Sequence, residues 1–187
     1  MPDTQISREC LKAFCHKDSG YADWQCLAAV MAWGGQTINQ GALCFDHFEV
    51  IIQPRIAAMR QGKMMPIQAY EEFNDLWKAM LNLGLGAAYF RQLIFFCIPN
   101  HNGYIIDQWC AKSINLLTGQ DIVRLSSSGW VNNKNTADHS QNYCAAINRL
   151  ADELNTSGEE IELTLFSKGG QKKWPWRQYM VDQAKAA

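Results

Sequence analysis

Apolar residues recur along most of this chain at intervals of three and four, the spacing that gathers them on one face of an α-helix. Residues 5–16 read as a short amphipathic helix. Residues 24–33 (WQCLAAVMAW) read as a helix apolar nearly all round, opened by Asp23 and stopped by Gly34 and Gly35. The polar, glycine-rich stretch GGQTINQGAL then reads as a loop. Helix 45–59 (FDHFEVIIQPRIAAM) carries Pro54, which kinks or splits it, and helix 67–82 runs into a pair of glycines. Past the glycines come an apolar helix, a short loop, and a helix from Asp107 to about Leu117. Residues 120–137 are irregular, with Ile122–Leu125 as a weak strand candidate. Asp138 opens a long helix to about Asn155, EEIELTLF makes another, and QKKWPWRQYMVDQ a last helix or arm. The pattern predicts an all-α fold, a single helical domain over 1–187 with scope for two lobes.

The stretch 77–109 organises the rest. Tyr70, Phe73, Trp77 and Met80 precede the glycines at helical spacing, and Tyr89, Leu93, Phe96 and Cys97 follow them. Glycine at 84 and at 86 lets the backbone turn with positive φ and lets another group approach closely. The turn leads straight into a helix whose first N–H groups lack intrahelical partners and carry the positive end of the dipole, a place for phosphate. A plain αα-hairpin, in which the glycines only end one helix and start the next, fits the same spacing. Asp107 likewise suits an N-cap as well as a chemical role.

Residues 83–107 resemble the hairpin-to-aspartate segment of the helix-hairpin-helix DNA glycosylases, most of all the 8-oxoguanine glycosylases. The resemblance rests on Leu83-Gly84-Leu85-Gly86, the helix after it, and Asp107 behind Ile105-Ile106. It implies a helix-hairpin-helix fold, duplex DNA with an extruded base as partner, and Asp107 as the carboxylate that breaks the base–sugar bond. The family's Schiff-base lysine falls on Ala88, so the implied enzyme is monofunctional, with water attacking. DNA contact is expected from the backbone of Gly84, Gly86 and Ala88, with Arg91 as a charged supplement. The resemblance implies no cofactor, though relatives often hold a monovalent cation at the hairpin. Gln36 and Gln40 stand in a loop similar to one that supplies a base-reading glutamine in archaeal relatives. Phe166, Trp174 and Trp176 are the stacking candidates, since the family tends to complete its pocket near the C-terminus. The rival readings are a catalytically degenerate nucleic-acid-binding module of the same fold, for instance in a phage-defence system, and an all-α interaction protein.

Composition changes this picture little. Seven tryptophans and eight phenylalanines in 187 residues supply a sizeable core. The longest apolar run, Leu93–Ile98, is too short to span a membrane, and the first residues lack the features of a secretory signal, so a cytoplasmic protein is expected. The net charge of −1 argues against tight non-specific DNA binding, although 55–91 and 168–185 are locally basic. Seven cysteines without an export signal read as reduced thiols on helical faces. Cys97, His101 and Cys110 lack a fourth zinc ligand, and Trp109 and Trp130 read as core.

Overall fold

The computed structural model describes residues 6–79, 83–99, 103–166 and 174–186. These residues form ten α-helices and no strand. They fall into two compact units, 1–101 and 102–187. None of the described helices is long and apolar enough to cross a membrane.

The first unit holds α1 (Arg8–Cys15), α2 (Asp23–Trp33), α3 (Ile38–Asp46), a π-helical turn (Phe48–Ile52), α4 (Gln53–Arg60), α5 (Pro66–Ala79) and α6 (Ala87–Cys97). Helix α3 corrects the expected loop at 34–43. Thr37 and Gln40 form a capping box, Thr37 Oγ1 and Gln40 Oε1 lying 2.9 Å apart, and that start signal outweighs the glycines around it. At Pro54 the helix is neither straight nor broken: the ladder widens to a π-turn for Phe48–Ile52, and α4 begins with the proline in its first turn, where no N–H is needed. Helix α6 is the axis of this unit. Every residue from Phe90 to Cys97 is buried, against α1, α2, α4 and α5. The apolar ones among them, such as Phe90, Leu93 and Ile94, contribute roughly 1.5–3 kcal/mol each when fully buried. Arg60, only 6% exposed, donates to the carbonyls of Cys15, His16 and Tyr21, each at 2.9 Å, and pairs with Asp23. One guanidinium therefore satisfies the loop between α1 and α2.

The second unit holds α7 (Gln108–Thr118), α8 (Ala137–Glu153), α9 (Gly158–Leu165) and α10 (Pro175–Ala186). Helix α7 packs on the other three, around Cys110, Ile114, Tyr143, Ile147, Ile161 and Leu165. Residues 122–125 form no strand; an isolated bridge joins Leu125 to Val131. Asn115 holds this region to α7, accepting from Val123 N at 3.0 Å and donating to Val123 O at 2.7 Å. Trp130, expected in the core, is 61% exposed, because the turn that carries it points outward. All seven cysteines are free thiols, five of them buried.

Candidate active-site elements

The hairpin and Asp107 belong to different units and are built differently. Leu83 and Leu85 are buried at 0% and 2% exposure, and between them Gly84 takes φ 72°. A Cβ on Gly84 would lie 2.3 Å from the Gln40 carbonyl oxygen and 3.3 Å from the Cys44 nitrogen, so the hairpin sits hard against α3. Gln36 closes the corner, its Nε2 donating to Gly84 O at 2.5 Å, while its Oε1 is buried with no hydrogen-bond partner among the described residues. Gly86 does not share the left-handed conformation expected of both glycines. Its φ of −112° and ψ of 177° are extended backbone, the ordinary geometry of an N-cap. Gly86, the N-cap, has no side chain with which to cap α6, whose amino end carries the positive pole of the dipole.

Ala88 lies in the first turn of α6, half-buried, with a methyl where an amine was the alternative. Arg91 lies inside rather than at the surface, 2% exposed and close enough to Tyr70 to act on its hydroxyl, because α6 is wrapped on all sides. Gln40 is exposed, but its amide is engaged in the Thr37 capping box. Leu81, Asn82 and His101 lie outside the described residues, as do Lys168, Lys172 and Lys173.

Asp107 caps α7. Its Oδ1 accepts from Trp109 N at 2.9 Å and from Cys110 N at 2.7 Å, leaving Oδ2 outside the cap. The backbone leading to it is fixed by its neighbours. Tyr143 Oη donates to Ile105 O at 2.9 Å, and Tyr104 Oη to Asn148 Oδ1 at 2.5 Å. Gly158 makes room for that tyrosine, since a Cβ there would come within 1.9 Å of its hydroxyl. Burial pushes the Asp107 carboxyl above its ordinary value; the two N–H donors and the Arg177 charge oppose the shift without cancelling it.

Around Asp107 stands a cluster that the sequence reading did not assemble. The Arg177 guanidinium lies 3.8 Å from the Trp109 ring centroid, and the Lys112 ammonium lies 4.5 Å from the same ring. Arg177 is 8% exposed, donates to Phe166 O at 3.3 Å, and keeps Nε without a hydrogen-bond partner among the described residues. Burial and the Arg177 charge lower the Lys112 pKa, while Asp107 acts to raise it. The local signal was limited to Lys112 on the helix that Asp107 opens. Arg177 comes from α10, and only folding brings it to Trp109. Phe166 ends α9, half-buried against the core of this unit. Trp174 lines an open recess of about 480 Å³ with Pro175, Trp176 and Tyr179. Trp176 is anchored to α7 by its indole N–H, 2.7 Å from Ser113 Oγ, and stacks on Tyr179 at 5.5 Å. Among the described residues no group of three or more His, Cys, Asp or Glu side chains could hold a metal ion.

An all-helical chain with a glycine hairpin feeding a buried helix, followed by a helix that opens on a carboxylate of raised pKa, has the layout of a helix-hairpin-helix protein. The chain belongs to the family described as "Putative 8-oxoguanine DNA glycosylase OGG-like protein", whose model matches residues 1–166. The family implies a glycosylase-like helical fold and DNA as the substrate. The match includes the hairpin and Asp107 but stops before α10, and so before Trp174 and Arg177. Neither the curated proteins nor the solved structures give a significant match.

Proposed function

We propose that this protein is a monofunctional DNA N-glycosylase that releases a damaged or modified base of the 8-oxoguanine type, acting in base excision repair in the cytoplasm. The reading is carried by a carboxylate, in a chain of this family, that is desolvated and faced by cations. Cleavage of a base–sugar bond builds positive charge on the sugar, and Asp107 stabilises that charge or takes a proton from the attacking water. A carboxyl raised above its usual range is better matched to accepting that proton near neutral pH. With Ala88 in the first turn of α6 there is no hairpin amine to form a Schiff base, so water supplies the new bond to the sugar and the product is an intact strand with an abasic site.

Around that step the other residues have assigned parts. The backbone at Gly84, Gly86 and Ala88 meets a DNA phosphate at the amino end of α6, and Arg91 adds positive charge from beneath. Gln36 and Gln40 are assigned to read the base edge; Gln36 keeps an amide oxygen without a hydrogen-bond partner among the described residues, while Gln40 is exposed at the start of α3. Phe166 and Trp174 present flat surface to the extruded base.

The test is a duplex with one 8-oxoguanine, read for free base by mass spectrometry and for strand scission with and without alkali. Base release with scission only after alkali is the expected result. Salt-sensitive binding without release would convert the protein into a binding module on the same scaffold. Scission without alkali would remove the monofunctional assignment.

A further inference from the structure

Trp130 is the most exposed aromatic side chain among the described residues, at 61%. A single exposed apolar side chain needs no explanation. The turn beneath this one is unusually well fixed. Leu125 and Val131 bridge its base, Ser126 N donates to Trp130 O at 2.8 Å, and Ser126 Oγ accepts from Trp130 N at 3.1 Å. Asn135, 3% exposed, accepts from Arg124 N at 2.8 Å and donates to Arg124 O at 2.9 Å and to Asn132 O at 2.6 Å. The indole is thus held out on a braced support rather than on a loose loop.

The support is tied to the helix that Asp107 opens. Gly129, at φ 79°, receives the end of Lys112; a Cβ there would lie 2.8 Å from Nζ. Lys112 follows Asp107 by five residues on α7, about 7.5 Å along the axis. Arg124 and Lys134, both exposed, flank the turn. The chain on either side of the indole is polar, with Ser126, Ser127, Ser128, Asn132 and Asn133. One flat ring set among cations and small polar residues is the arrangement on which nucleic-acid bases stack.

We propose that the Ser126–Val131 turn is a separate nucleic-acid contact, in which Trp130 stacks on an unpaired or unstacked base while Lys112 and Arg124 meet the flanking phosphates. The proposal rests on the DNA-directed reading of the family but not on catalysis. It adds a residue that neither the hairpin nor the carboxylate requires.

Trp130→Ala and Trp130→Phe, measured by fluorescence anisotropy on a labelled duplex carrying one 8-oxoguanine, test it. Trp130→Ala is expected to bind roughly tenfold more weakly, within the usual worth of one base–aromatic stack. Trp130→Phe should stay near wild type, and both variants should melt with the wild-type protein. The salt slope of Trp130→Ala should be unchanged, whereas Lys112→Gln should reduce it by about one. Wild-type affinity in Trp130→Ala overturns the contact, and so does a Phe variant as weak as the Ala variant. Base release is not part of the measurement. A protein that needs Trp130 to bind and releases nothing would end the enzymatic proposal alone. One that releases 8-oxoguanine while Trp130→Ala binds normally would end only this one.

Discussion

The glycine hairpin and the Asp107 helix start are built from polar groups used in two different ways. At the hairpin the polar groups serve shape. Gln36 clamps Gly84, Gln40 closes a capping box, and Gly84 fits against α3 with no space for one more carbon. At Asp107 the polar groups are left under electrical tension: a carboxyl shifted upward by burial, a lysine shifted downward, and a buried arginine whose Nε has no hydrogen-bond partner among the described residues. A region built for shape should lose stability when altered. A region held under tension should lose activity and gain or keep stability.

Asp107→Asn is the largest and sharpest test of that contrast. Asparagine caps a helix as well as aspartate does, so the fold should be kept while release of 8-oxoguanine falls roughly 10²–10⁴-fold in single-turnover assays. The folded pKa of Asp107 lies above its unfolded one, so ionisation favours unfolding. Its contribution to stability is therefore most favourable below the unfolded value, about 3.9, and falls as pH rises through the folded value. The asparagine variant should lack that decline and melt no lower than wild type at neutral pH. A variant that releases the base at the wild-type rate would leave Asp107 as a helix cap alone.

Gly84→Ala comes next, with the opposite signature. A Cβ in the left-handed region and 2.3 Å from the Gln40 carbonyl oxygen must move α3, at a cost of about 2–4 kcal/mol in chemical denaturation. Gly86→Ala is smaller. Its extended backbone accepts a side chain, so stability should change by no more than about 1 kcal/mol at this cap position, while DNA affinity falls for every sequence alike. Unchanged affinity would remove the hairpin as a phosphate contact. Smallest is Arg177→Met. With that charge gone the Asp107 carboxyl should rise further, moving the acid limb of the pH–rate profile to higher pH. A limb that stays in place would show that Arg177 does not act on the reacting carboxylate.

What could be read from the chain was whatever depends on neighbours a few residues away. Helical period, the stop at Gly34-Gly35, the start at Asp107 and the hairpin between α5 and α6 are local, because a cap or a turn is decided by side chains within one helical turn. The family resemblance drew on those same local marks. Even there, a competing local signal won once: Thr37 and Gln40 made a helix where two glycines had suggested a loop.

Burial and electrostatics were settled only by tertiary structure. Arg91 reads as a surface cation until α1, α2, α4 and α5 close around α6. Trp130 reads as core until its turn faces out. Arg177 has no visible relation to Asp107 until α10 lays it on Trp109. The reason is that a group's solvation and field are summed over everything packed near it, and most of what packs near it is remote in sequence.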